Sequence, residues 1–261
     1  MSAYRLSDDK KITATALSDI YKETLGNVEK REEGFYRKKQ TFMLNAVSNP
    51  KVYNPTSPDE ILTAMEDIER YLRVVEFPDV LTKAALAHYQ FEAIHPFELY
   101  NGIVGRILLF MVLRSVGLEA PRFMSLSEVL YDNKNDYFYI ISSTQRSGGY
   151  MRLIKFLIRG IYEAASRAIV RIDEYERTIV RDEVAIQSQK ISTKHNLEVY
   201  NYFRRRLVSK IKPIAEDLGV SFNTVSKSID ALIGVGVLRA EGDQSRHRYF
   251  LYNDVLEIFI K

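Results

Sequence analysis

The residues of this chain best able to do chemistry stand together in HPFELYNGIVGR, residues 95–106. The imidazole of His95, with an ordinary pKa of about 6.5, can take a proton from a hydroxyl close to neutral pH. Asn101 and Gly102 stand where the loop turns into the apolar run ILLFMVL. Their backbone N–H groups would therefore open a helix and face an anion at its positive end. Arg106 adds a guanidinium, whose fork suits phosphate oxygens. Three positions cut against that chemistry: Leu99, Tyr100 and Ile103 stand where a phosphate and metal site would use an acid, a glycine and a base. The competing reading is a packed histidine and a structural arginine, which need no ligand.

The elements that must position this loop are written in the flanking sequence. VLTKAALAHYQFEAI reads as a helix running into His95, and VGRILLFMVLRSVG as a helix apolar on nearly all sides, hence buried, with Gly117 able to end it. His88 lies on the first of these, seven residues before His95, and reads as core or surface packing. Residues 36–55 alternate apolar and polar around SNP and predict a short hairpin. Next comes a helix with Ser57 as cap, Pro58 in its first turn and apolar positions Ile61, Leu62, Met65, Ile68 and Leu72. Residues 1–35 read as a polar helical segment without a strong amphipathic stripe. After Gly117 two more helices follow, the second long and increasingly charged, a candidate bridge to another unit.

Composition bounds the rest. The chain has 261 residues, 37 basic and 34 acidic, for a net charge of +3. That balance does not by itself argue for nucleic acid. It contains no cysteine, which excludes disulfides, thiol catalysis and thiolate metal sites. The N-terminal stretch lacks the apolar core of a signal peptide, and the longest apolar run, 107–113, is far short of the ~20 residues that span a bilayer. These features predict a cytoplasmic protein with no membrane partner.

The last 70 or so residues read as helix, helix, helix and two-stranded hairpin. Gly219 closes the second helix, Ser221 caps the third, and EGDQS turns the hairpin. That order resembles the winged helix-turn-helix domains of bacterial regulators. The resemblance places Asn223, Thr224 and Lys227 at the start of a recognition helix and Arg246 and Arg248 on the wing, as candidate DNA contacts, with a homodimer supplying two such helices. The bland counterpart is a solvated basic face.

HYQFEAIHPFELYNGIVGRILL also resembles the loop of the Fic (Fido) family, which reads H-P-F-x-[D/E]-G-N-G-R-x-x-R. His95, Pro96, Phe97, Asn101, Gly102 and Arg106 match; Leu99, Tyr100 and Ile103 replace the acid, the first glycine and the first arginine. The following S-E-V-L-Y-x-N-x-x-x-Y and the 36–55 hairpin are similar as well. The resemblance implies a mainly α fold: a helical segment over 1–35, a Fic-type core with a hairpin flap over 36–186, and the winged helix over 187–261. It implies AMP transfer from ATP to a Ser, Thr or Tyr hydroxyl of a target protein, with His95 as base, Asn101, Gly102 and Arg106 on the phosphates, and Asn133 and Tyr137 near the adenine. Leu99 cannot bind Mg²⁺, and Glu98 stands one residue early. The inhibitory pattern [S/T]-x-x-x-E-[G/N] is not met by Glu33 and Gly34, since Glu29 stands where Ser or Thr belongs. Two expectations follow. One is a weakened adenylyltransferase; the other is an inactive nucleotide- or partner-binding regulator acting on DNA.

Overall fold

The computed structural model describes residues 12–25, 36–44, 51–74, 79–119, 123–242 and 248–260. They form two compact units, Met1–Ala168 and Ile169–Lys261.

In the first unit, α1 (Ala14–Leu25) buries Ala16, Leu17, Ile20 and Tyr21 along one face. From sequence this segment reads as helical without a strong stripe. The stripe exists but is narrow, and its Ala and Tyr members are weak hydropathy signals. The strands β1 (Met43–Leu44) and β2 (Lys51–Tyr53) pair antiparallel, which is the stem of the expected hairpin. Its tip, 45–50, lies outside the described residues, as do residues 1–11 and 26–35 with Glu33 and Gly34.

A 3-10 turn, Pro58–Glu60, leads into α2 (Ile61–Val74). Ser57 precedes the turn, but its hydroxyl donates to the Asp59 carboxylate rather than accepting from a backbone N–H. Ile61, Met65 and Ile68 are buried, while Leu62 faces solvent. Then come α3 (Val80–Ile94), α4 (Asn101–Arg114), α5 (Leu126–Asp132), α6 (Lys134–Ser147) and α7 (Tyr150–Ser188). Asp79 caps α3 by accepting from the N–H groups of Leu81 and Thr82 at 3.1 and 3.0 Å. The α4 helix buries Val104, Gly105 and everything from Leu108 to Leu113, as its all-round apolarity requires. Gly117 takes the left-handed backbone, φ 83°, just beyond its end.

The long helix α7 contributes to both units. The second unit therefore begins at Ile169, within α7, rather than at 187 where the sequence reading divided the chain. The reason is that Ile179 and Ile186 pack into the second core with Phe203, Ile214, Val225 and Leu232.

The second unit continues through α8 (Lys194–Arg206), β3 (Val208–Ser209), α9 (Ile211–Leu218), α10 (Phe222–Gly234), β4 (Arg239–Glu241), β5 (Tyr249–Leu251) and α11 (Asn253–Ile260). The strands form one antiparallel sheet in the order β3-β5-β4. Gly219 closes α9 at φ 65°, and the Ser221 hydroxyl caps α10 by accepting from Thr224 N–H at 3.1 Å. Within this core the Tyr252 hydroxyl donates to the buried carboxylate of Asp182, whose other oxygen meets Arg181. No helix among the described residues is long and apolar enough to cross a membrane.

Candidate active-site loop

Residues 95–100 join α3 to α4, and both ends of that loop are left-handed. His95 caps α3 at φ 51°, ψ 58°, with its N–H donating to Phe91 O at 2.9 Å. Tyr100 caps α4 at φ 60°, ψ 14°. For non-glycine residues this backbone region is strained. Tertiary contacts hold it there. Phe97 is fully buried, and its ring stacks on Tyr21 with centroids 4.0 Å apart. Asn101 closes the loop with two bonds: its Oδ1 accepts from Phe97 N–H at 2.9 Å and its Nδ2 donates to Phe97 O at 2.7 Å. The side chain of Asn101 is thus committed to the loop. What it can offer an anion is its backbone at the start of α4.

A residue that sequence reasoning missed holds the loop from outside. Arg37 is buried; its Nε donates to His95 O at 2.8 Å, its Nη1 to Lys39 O at 3.0 Å and its Nη2 to Thr56 O. Its backbone N–H donates to Pro96 O at 2.8 Å. One guanidinium therefore ties both sides of the hairpin stem to the His95 turn. In sequence, Arg37 falls in the alternating 36–55 segment beside Lys38 and Lys39, and nothing local marks it as buried. Just beyond β2 the same base of the stem is clasped by Gln145 of α6, whose side chain accepts from Asn54 N–H and donates to Asn54 O.

Burial, and after it the charge of Arg37, push the pKa of His95 down to about 4. Its imidazole is therefore neutral at pH 7, the form a general base must have, though a weaker base than free imidazole.

Behind the loop lies a polar group of buried His88, Glu92 and Tyr137 with half-buried Arg106. His88 is fully buried and its Nε2 meets the Tyr137 hydroxyl at 3.0 Å. Burial lowers its pKa to about 4. Glu92, also missed, is buried with no hydrogen-bond partner on its Oε1, and burial pushes its pKa up to about 7 against the pull of Arg106. Gly102 and Gly105 make the room. A Cβ on Gly102 would stand 3.1 Å from Arg106 Nη1, and one on Gly105 would stand 2.5 Å from Glu92 Oε1. The spacing of Glu92 from His88, four residues on one helical face, is the signal that could have found it.

The three substituted positions form the outer surface. Leu99, Tyr100 and Ile103 are 50%, 47% and 38% exposed. Leu99 offers no donor atom to a divalent cation, and among the described residues there is no group of three or more His, Cys, Asp or Glu side chains placed to hold a metal ion. Of the remaining candidates, Asn133 is half-buried and donates to Val129 O at 2.9 Å, while Tyr137 is buried and stacked near Phe156. In the second unit, Asn223 and Lys227 are exposed on one face of α10, Thr224 is half-buried, and Arg248 is exposed at the start of β5. Arg246 lies outside the described residues.

Known proteins supply the comparison. Residues 10–113 match the model of the Fic/DOC family. A protein adenylyltransferase Fic of Nematostella vectensis is 26% identical over 157 residues, 59% of this chain and 33% of its own length. A probable protein adenylyltransferase of Aquifex aeolicus is 29% identical over 153 residues, 59% of this chain and 43% of its own. The chain therefore spans less than half the length of either relative. The crystal structure of a Fic family protein from Desulfovibrio desulfuricans superposes with a TM-score of 0.57 over 96% of this chain and 71% of that one, at 15% identity, which is a likeness of fold. The family match over residues 10–113, the adenylyltransferase relatives and the likeness of fold agree with the geometry of the 95–106 loop, and together they support a Fic-type protein.

Proposed function

We propose that this protein is a Fic-type adenylyltransferase scaffold in which AMP transfer is reduced to the point of loss, and which works by binding. One observation carries the reading: Leu99, Tyr100 and Ile103 put an exposed apolar surface at the mouth of α4, where the family motif has a metal-holding acid, an anchor glycine and a cation. Removing a single charge-stabilising donor costs a reaction about 10²–10³ in rate, and here three such elements are replaced together. His95 closes α3 at the mouth of the loop with its pKa lowered by burial, which supports its retention as the base. Arg106, whose Nη1 would stand 3.1 Å from a Cβ on Gly102, remains a cation at the helix start. ATP is the substrate the family resemblance supplies, and its binding here rests on Arg106 and the α4 backbone, independent of Mg²⁺.

Titration calorimetry with ATP, with and without Mg²⁺, tests this. Weak binding unchanged by chelation is expected. Tight binding that disappears with EDTA would overturn it, as would self-labelling of the unmodified chain by radiolabelled ATP.

The second unit carries its own reading, a winged helix that binds duplex DNA. Exposed Asn223 and Lys227 on the first two turns of a Ser221-capped helix, preceded by the turn at Gly219 and followed by the β4–β5 hairpin, support it. Thr224, Arg246 and Arg248 complete the proposed contacts, and a dimer would supply the second helix. In mobility shifts on a random duplex pool, Lys227→Ala should weaken binding to all sequences and flatten its salt dependence, whereas Asn223→Ala should relax sequence preference. No retardation at low salt would leave the unit a protein-binding module. The cytoplasm is the compartment in which both readings operate.

A further inference from the structure

A second cleft lies in the first unit, away from the His95 loop. It runs between α6 and the start of α7, has a volume of about 580 Å³, and is lined by Asp136, Ile140, Arg152, Lys155, Phe156 and Arg159 among others. Arg152, Lys155 and Arg159 stand at spacings of three and four on α7 and so share one face of it. All three are exposed.

Among the described residues, none of the three has a carboxylate within ion-pair reach; Arg152 stands over the Tyr139 ring at 5.0 Å. Eight residues further along the same helix the opposite holds. Arg167 meets Asp132 at 2.8 Å, Glu163 at 2.6 Å and Glu128 at 3.8 Å. The helix thus satisfies one arginine three times over and leaves three cations to solvent. It also starts without an acid in its first turn, where Arg152 instead opposes the positive end of the helix dipole. Like charges held together against a dipole are relieved by an anion.

The remaining lining narrows the anion. Ile140 is buried and Phe156 half-buried, and together they give the cleft an apolar floor. The Phe156 ring is backed by Tyr137 at 6.2 Å, nearly parallel. Asp136 is exposed and lines the same cleft, an acceptor suited to hydroxyl groups. A volume of this size takes a small molecule. We propose that this cleft binds a nucleotide: phosphates on Arg152, Lys155 and Arg159, the base on the Phe156 and Ile140 floor, and sugar hydroxyls on Asp136. This site shares no residue with 95–106, so it does not depend on the adenylyltransferase reading.

The test is equilibrium binding to the full chain, followed by fluorescence polarisation of a labelled ATP and by competition with ATP, AMP, inorganic triphosphate and a short single-stranded oligonucleotide. Arg152→Glu with Lys155→Glu should weaken ATP binding by about tenfold or more, with the thermal melt unchanged because both side chains are exposed. Lys155→Arg should retain binding. Phe156→Ala should weaken ATP and leave inorganic triphosphate unaffected. Arg106→Ala should leave ATP binding at this cleft in place. The proposal is overturned if charge reversal leaves ATP affinity unchanged, if Arg106→Ala alone abolishes it, or if the oligonucleotide binds and ATP does not compete.

Discussion

Arg37 Nε donates to the carbonyl oxygen of His95 across 2.8 Å, joining residues 58 apart in sequence. The same guanidinium reaches Thr56 O, so the hairpin stem and the histidine turn share one buried cation. Arg37→Ala should destabilise the fold by on the order of 3 kcal/mol, since hydrogen bonds to a buried charge are among the stronger ones. It should also raise the His95 pKa, because Arg37 helps to lower it. Arg37→Lys should keep the charge and recover much of that lowering. NMR titration of the His95 ring reads both; a His95 pKa unmoved by Arg37→Ala would refute the coupling.

Glu92 makes stability depend on pH in a defined direction. Its folded pKa, about 7, lies above the ordinary 4.5. The folded state therefore holds the proton more tightly, and the stabilisation present below pH 4.5 is lost as pH rises through 7. Glu92→Gln should melt several degrees higher than the parent at pH 8 and no higher at pH 4. A constant difference across that range would show that Glu92 is already ionised in the fold.

His88 and His95 act on the acid side. Both have pKa values lowered to about 4, so acid charges them more readily in the unfolded chain. Their contribution is complete above pH 6.5 and falls away as pH drops towards 4. His88→Gln should flatten the acid limb of a melting-temperature profile, as read by circular dichroism between pH 4 and pH 7.

The second unit leans on Tyr252 and Asp182. Tyr252→Phe removes the donor to a buried carboxylate and should cost about 1–3 kcal/mol, whereas Tyr200→Phe, whose hydroxyl stands 3.5 Å from that of Tyr252, should cost less. Urea denaturation of the two variants compares them.

Restoring Leu99→Asp, Tyr100→Gly and Ile103→Arg together should return self-labelling with AMP, since His95 and the start of α4 are in place. Adding His95→Ala to the repaired chain should silence it again. A folded but silent triple variant would assign the loss to another part of the site.

Much of this was legible in the sequence where a pattern is local. The buried α4 helix follows from an apolar run with no polar face, and the Ser221 cap and Gly219 turn follow from single residue types. The loop itself was legible because its chemistry is written in consecutive letters. What escaped were partners brought together across long separations. Arg37 looks like surface until Thr56 and His95 surround it. Glu92 looks like an ordinary helical acid until Gly105 lets α4 close over it. The Asn101 side chain bonds back to Phe97, a closure of the loop that no local pattern announces, while its backbone stays at the start of α4 as expected. The unit boundary escaped because α7 carries no break at Ile169; only its contacts change.

Tyr100 holds a backbone that glycine would hold without strain. At φ 60° the Tyr100→Gly replacement relieves a left-handed side-chain clash, while Ala or Val at the same place would keep it. Glycine is thus compatible with this backbone, so nothing in the turn itself requires an aromatic there. What Tyr100 adds is its exposed ring, an apolar surface at the mouth of α4 held at the cost of local strain.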